Sequence, residues 1–327
     1  MAMTERENVL RVYHKEDPAW VPEYSKATGM VMSSVLMGNR TMSGGTDIWG
    51  VPFTPSDSAD GASLPSPNQF ILKDITKWRD VIKAPDLSDV DWELVAQRDM
   101  ANVDYENRAI GMSIHVGYFQ TLCNFMGFSE GMCAMYEEPE AVLELLEYLA
   151  EFYEAAARKI VQYYKADIFS IVDDTATVSM PFFSPELYRK LIKPFHARLA
   201  KIGEDAGMVL EMHDCGRCED FIEDWRDFGI KAWDPCQVQN DLIGIQKKYG
   251  RDLVMVGCWD YQGVVSMEDA SEEFVRAEVR KCLDTYGKNG GYIFWNYVLG
   301  FTQNPKLADK MRWIGEEVDS YGHQLYN

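Results

Sequence analysis

Short apolar runs alternate with amphipathic stretches along most of this chain, and that alternation restricts its fold more than any other feature. Runs that read as buried strands lie at Ala109–His115, Ala166–Val172, Met208–Met212, Ile230–Trp233, Leu253–Val256 and Tyr292–Trp295. Helical patterns fill the intervals: Phe119–Met126, Pro139–Tyr164, Ser184–Ala206, Glu219–Phe228, Ile243–Tyr249 and Met267–Tyr286, with Lys306–Tyr321 at the end. Strands that are apolar throughout and joined by short connections through helices are parallel and covered on both faces. The number of such units in one chain of 327 residues fits a closed (β/α)8 TIM barrel better than an open doubly wound sheet. No Gly-rich phosphate fingerprint follows a strand. Gly290-Gly291 precedes its strand, the wrong end for a dinucleotide.

Ahead of this rhythm, Thr4-x-x-Glu7 is a capping box for a helix carrying Val9, Leu10 and Tyr13. Asp17-Pro18 breaks that helix, and Trp20-Val21-Pro22 leads into a first strand. From about residue 23 to 70 the pattern is irregular and rich in Gly, Ser, Met and Pro, as expected of a long loop or lid over a pocket. Within it, Thr46-Asp47-Ile48-Trp49-Gly50 is a candidate pocket wall. Asp47 could equally be a turn residue. No internal boundary stands out, so residues 1–327 read as one domain.

The formal charge of −20 disfavours nucleic acid and anionic membranes as partners. No apolar run is long enough to span a bilayer, and Met1–Glu7 lacks a secretory pattern, so a cytoplasmic location is expected. The seven cysteines are scattered and odd in number, which favours reduced thiols or metal ligands over disulfides. Cys123, Cys133 and Cys282 fall in helical patterns and read as core filler.

In a TIM barrel, the residues just after each strand gather on one face. Here they are His115, then Asp173 and Asp174, then His213 and Cys215, Asp234 and Cys236, Cys258 and Asp260, and Asn296 and Tyr297. Each has an ordinary structural alternative: His115 a buried histidine, Asp173-Asp174 a loop cap, Asp234-Pro235 a turn. Their joint occurrence carries the weight. His213 and Cys215 are alternate residues at a strand end, so both side chains leave on the same side. With one or two further donors they would suit zinc, which takes three protein ligands and an open position in catalytic sites. Cys258 and Cys236 are the available thiols. Glu211 shares the face of His213 one step deeper, and Asp214 should point the opposite way.

The order Asp173-Asp174-Thr-Ala-Thr, Phe183-Ser184-Pro185-Glu186-Leu187-Tyr188, Met212-His213-Asp214-Cys215-Gly216, Trp233-Asp234-Pro235-Cys236-Gln237 and Gly257-Cys258-Trp259-Asp260 resembles the uroporphyrinogen decarboxylase superfamily. Within it, the chain is similar to the corrinoid-dependent methyltransferase branch. The resemblance implies a TIM barrel with its pocket at the C-terminal face. It also implies that His213 and Cys215 take the zinc-ligand positions. Thiol-activating relatives carry a further cysteine after the last strand, where this chain has Asn296 and Tyr297, so either Cys258 or Cys236 completes the set or the metal is weak or missing. True decarboxylases grip a polycarboxylate with an arginine-rich front segment. The corresponding Val21–Lys26 has no arginine.

The expected activity is therefore methyl transfer in a corrinoid-dependent demethylation system. Zinc would be bound by the protein, and the corrinoid would be carried by a partner protein. The donor would be a small methylated compound, with a phenyl methyl ether suggested by Trp49, Trp233, Trp259 and Trp295 near strand ends. Asp173, Asp174, Tyr297 and His115 are the expected proton donors. Asp47, Trp49, Asn296 and Trp259 are the expected substrate contacts. Porphyrinogen decarboxylation is the runner-up, and a non-enzymatic tetrapyrrole- or corrinoid-binding accessory protein is the third reading.

Overall fold

The computed structural model describes residues 3–56, 62–114, 117–298 and 305–326. Its main sheet has seven parallel strands in the order Thr28–Met32, Ala109–Ser113, Ile168–Val172, Val209–His213, Ala232–Cys236, Val254–Gly257 and Tyr292–Ile293. The sheet curls back on itself. Phe294 N donates to Pro22 O at 2.9 Å and Tyr24 N donates to Phe294 O at 2.7 Å. That parallel bridge puts the chain just ahead of the first strand beside the last one, in the eighth position of a TIM barrel.

Register decides what faces inward. Met30 lies opposite Gly111, Gly111 opposite Ile168, Ser170 opposite Glu211, and Glu211 opposite Ala232. One buried cluster accordingly joins Ala109, Ile168, Val209, Ala232, Val254 and Ile293 inside the ring. Val9, Val12 and Tyr13 belong to the same cluster, so helix Glu5–Tyr13 plugs the barrel beneath. The capping box at its start is complete: Thr4 Oγ1 accepts from Glu7 N at 3.1 Å, and Glu7 Oε2 accepts from Thr4 N at 2.9 Å. A second, larger core fills the space between the strands and the outer helices, where Pro139–Tyr164 buries Leu145, Leu146, Leu149 and Ile160.

Several elements differ from the sequence reading, each for a local reason. The first full strand, Thr28–Met32, lies in the stretch expected to be irregular, and the rest of that stretch contains a three-stranded antiparallel sheet. The helix expected over Ser184–Ala206 is two, Pro185–Leu191 and Lys193–Asp205, because Pro194 cannot donate to the preceding turn. The helix expected from Met267 begins at Glu272, where Ser271 Oγ accepts from Phe274 N at 3.2 Å. All seven cysteines are free, and Cys133 is exposed instead of filling the core. No helix among the described residues is long and apolar enough to cross a membrane.

Inside the ring Glu211 is fully buried and accepts from Tyr13 Oη at 2.8 Å and Tyr24 Oη at 2.9 Å. Burial, then the charge of Asp234, pushes its carboxyl from 4.5 up to about 8. Between those values the folded chain holds a proton that the unfolded chain has released, so stability falls as pH rises through that window. Glu211→Gln is expected to flatten this fall in metal-free protein, read from urea midpoints near pH ~5 and ~8. An unchanged slope would show that Glu211 is ionised in the folded state throughout.

Candidate metal centre

His213 closes its strand, and Cys215 follows in the turn that Gly216 makes possible. Gly216 has φ +97°, and a Cβ there would lie 2.6 Å from Thr177 O. The turn folds Cys215 back so that its backbone N donates to Asp174 Oδ1 at 3.0 Å. Ligand atoms of Asp174, His213 and Cys215 all lie within 4.8 Å of one another. All three side chains are half-buried. His213 Nε2 is 3.9 Å from Cys215 Sγ. That is close to the ~3.6 Å edge expected between a nitrogen and a sulfur on one tetrahedral zinc.

The neighbours fix the cluster. His213 Nδ1 is 2.8 Å from Asp234 Oδ2, which leaves Nε2 turned toward Cys215. This is the carboxylate–histidine arrangement that orients metal-bound imidazoles. Asp234 Oδ1 is buried without a partner among the described residues. Gln120 Nε2 donates to Asp174 Oδ2 at 2.9 Å, so both oxygens of that carboxylate are aimed by the protein. Gln237 accepts from Gly216 N and donates to Tyr261 Oη, tying the turn to an aromatic side chain.

Without a metal, burial pushes the Cys215 thiol up to about 11, against the pull of His213. Burial opposes charge on His213, but Asp234 and Cys215 outweigh it and raise its pKa well above the ordinary value. The apo cluster thus holds protons that a metal would displace.

The other expected residues are divided. Asp174 joins the cluster, whereas Asp173 does not face the cleft. Asp173 is fully buried and accepts from Phe119 N at 2.9 Å and Gln120 N at 3.0 Å, with His196 Nε2 at 3.2 Å. It caps the helix Tyr118–Met126 instead of serving as an acid. Asp214 points away from His213, as alternation requires, and accepts from Thr175 N at 2.8 Å. Cys258 is not in the cluster. It is buried, and Asp174 is the third member of the cluster in its place. Asn296 turns to the last helix, its Nδ2 donating to Met311 O at 3.0 Å. Trp259 is buried, with Nε1 donating to Tyr297 O at 3.0 Å. His115 lies outside the described residues.

Tyr297 stacks on Trp295 with centroids 5.4 Å apart and meets Tyr261 edge-on at 5.2 Å. Trp295 in turn meets Tyr24 at 5.8 Å, so an aromatic row runs up from the Glu211 layer. Tyr261 lies near enough to feel the charges of Cys215 and His213, and burial first, then Cys215, pushes its phenol up to about 12. Asp47 and Trp49 line a cavity of about 270 Å³ with Met32, Ile114, Thr121 and Tyr153.

Gln120, Gln237 and Tyr261 were not singled out as functional in the sequence. Asp234 was placed on the active face, but reading its strand as ending at Trp233 hid its pairing in register with His213.

The family model for uroporphyrinogen decarboxylase (URO-D) matches residues 71–302, and the chain belongs to that family. Among solved structures, the chain is similar to a methyltransferase from Methanosarcina mazei. The two are 14% identical, with a TM-score of 0.62 over 98% of this chain and 99% of that one. At that identity the likeness establishes the fold. No curated protein matches the sequence.

The geometry predicts how metal affinity responds to substitution. Asp234→Ala is expected to weaken zinc binding by about 10- to 100-fold, and Cys215→Ala by more, measured by competition with a chromophoric chelator. Equal affinity in Asp234→Ala and the parent protein would mean that Asp234 does not orient His213.

Proposed function

We propose that this member of the uroporphyrinogen decarboxylase family is a methyltransferase. In our reading it moves a methyl group from a small methylated donor to a corrinoid carried by a partner protein. The observation that carries this reading is the convergence of a carboxylate, an imidazole and a thiol at the C-terminal end of parallel strands, with ligand atoms within 4.8 Å. Three protein donors of this kind suit zinc and leave one position open. When bound by Asp174, His213 and Cys215, zinc would supply a Lewis acid for the heteroatom that loses its methyl group.

The protein's own residues set the geometry of that exchange. Asp234 holds the tautomer and ring orientation of His213, and Gln120 aims Asp174. The carbon–heteroatom bond of the donor breaks with its electron pair left on the heteroatom, which takes up a proton on release. Tyr261, whose phenol is pushed up to about 12, keeps its proton at neutral pH, and Tyr297 packs beside it. Both are placed along the aromatic wall, which suits a flat group. Asp173 takes no part, because it is fully buried and held at the start of the helix Tyr118–Met126.

Decarboxylation of a porphyrinogen is disfavoured because the segment Val21–Lys26 offers no arginine to a polycarboxylate.

The direct test is methylation of a reduced corrinoid protein in the presence of methoxy, methylamine or methylthiol donors. Transfer is expected from at least one class, and Cys215→Ala is expected to lower it more than about 100-fold, beyond the loss typical of an outer partner. No transfer from any class would reject the proposal. Release of CO2 from uroporphyrinogen would support decarboxylation instead, and corrinoid binding without turnover would support an accessory role.

A further inference from the structure

The cavity beside Trp49 holds one cation among its described lining residues, Arg40, in a chain whose formal charge is −20. Long cationic side chains elsewhere commonly meet carboxylates: Arg198 reaches Glu147 and Glu154, and Arg276 reaches Glu272, Glu316 and Glu317. Arg40 makes no ion pair among the described residues. Its Nη2 donates to Ser63 O at 3.0 Å, and its guanidinium lies 4.0 Å from the centroid of the Phe53 ring. Stacking fixes the plane of the group, and the one hydrogen bond uses a single donor of the five it carries.

The loop that presents Arg40 is tightly built. Asn39 N donates to Thr46 O at 2.9 Å, and Gly38 at φ +62° packs so close that a Cβ would lie 2.8 Å from Asp47 C. Asp47 lines the same cavity but is engaged in its own turn, with Oδ1 accepting from Trp49 N and Val51 N at 2.9 Å each. It therefore offsets part of the charge of Arg40 from a distance without pairing with it. Burial lowers the pKa of Arg40, the sign of a guanidinium short of solvent and of a close anion. Most of the rest of the lining is apolar or aromatic, including Met32, Ile114, Trp49 and Tyr153, with Thr121 and Asn124 among its polar members.

One helix joins this cavity to the metal centre. Gln120 donates to Asp174, while the adjacent Thr121 and then Asn124, one turn on, line the cavity.

We infer that Arg40 determines donor specificity by taking the carboxylate of a small methylated acid whose flat apolar body lies against Trp49, Tyr153 and Ile114. A planar fork at a largely apolar chamber discriminates an acid from its neutral analogue, because only the acid makes a charged bidentate pair with the unused donors. This inference rests on the methyl-transfer reading only in naming the ligand as the donor; recognition of the acid does not require turnover.

Calorimetry on the full chain, with 4-methoxybenzoate and the uncharged 4-methoxybenzamide as probes, separates the possibilities. The parent protein is expected to bind the acid at least about tenfold more tightly than the amide. Arg40→Met is expected to weaken the acid about 10- to 100-fold and leave the amide unchanged, and Arg40→Lys to fall between. Thermal unfolding of each variant checks that the fold is kept. Asp47→Asn, which retains the turn acceptor, provides an independent arm and is expected to tighten the acid alone. Equal affinity for acid and amide in the parent, equal weakening of both in Arg40→Met, or binding of neither probe overturns the inference. Acid binding through Arg40 without methyl transfer from any donor would reject the proposed function alone. Methyl transfer from neutral donors that ignores Arg40→Met would reject this inference alone.

Discussion

His213 and Asp234 sit opposite each other on adjacent parallel strands, with Nδ1 and Oδ2 2.8 Å apart. Parallel pairing has a side-chain period of two, so a slip of one residue would send one of the pair out of the barrel and leave the other unpaired. The contact is thus a property of the sheet as much as of two side chains. It also sets what lies above it. With Nδ1 engaged, the imidazole presents Nε2 to Cys215, and the Gly216 turn brings Cys215 N onto Asp174. Three separate segments meet at one point because three neighbouring strands end at the same height.

Beneath the site the barrel is closed by its own N-terminal helix, and this has an electrostatic consequence. Tyr13 arrives from that helix and Tyr24 from the turn before the first strand, and both donate to Glu211. A carboxyl group in an apolar ring must be neutral or fully hydrogen-bonded. Here two phenols satisfy it while burial keeps its proton affinity high. The layer beneath His213 thereby carries a polar group without a fixed full charge. Met30, one strand away, places its sulfur 3.7 Å from Tyr24 Oη and packs over Gly111, where a Cβ would meet it at 2.3 Å.

The barrel was legible in the sequence because its strands are apolar on both faces and its helices are amphipathic, a pattern that survives errors of a few residues at each end. His213 and Cys215 were legible for the same reason, since alternation on a strand end is local. Asp174 was legible as a member of the active face, but its role as the third donor was not. That role depends on the fold of the Cys215 turn, and chemical type alone favoured the thiols Cys258 and Cys236. Cys236 donates its thiol to Trp233 O at 3.2 Å instead, and Cys258 is buried just past the end of its strand at φ +54°. Asp173 misled because two adjacent aspartates look equivalent. Successive side chains diverge, so one reached the cleft and the other capped a helix. The first strand and the antiparallel sheet were hidden by short runs with mixed composition, and Arg40 by its place in that same stretch.

The three donors also differ in what they demand of the surroundings. Cys215, with its thiol pushed up to about 11, must lose a proton before it can bind a cation. His213 is raised by Asp234 and by Cys215, so an ion that binds both donors displaces a proton from each. Such a site gains affinity steeply as pH rises, and it discriminates against hard cations that cannot repay the removal of a thiol proton. Asp234, by holding Nδ1–H in either state, keeps the ring in place while the proton on Nε2 is exchanged for metal. The same short contact that fixes the strand register thus lets the cluster change its occupancy without rearranging the barrel.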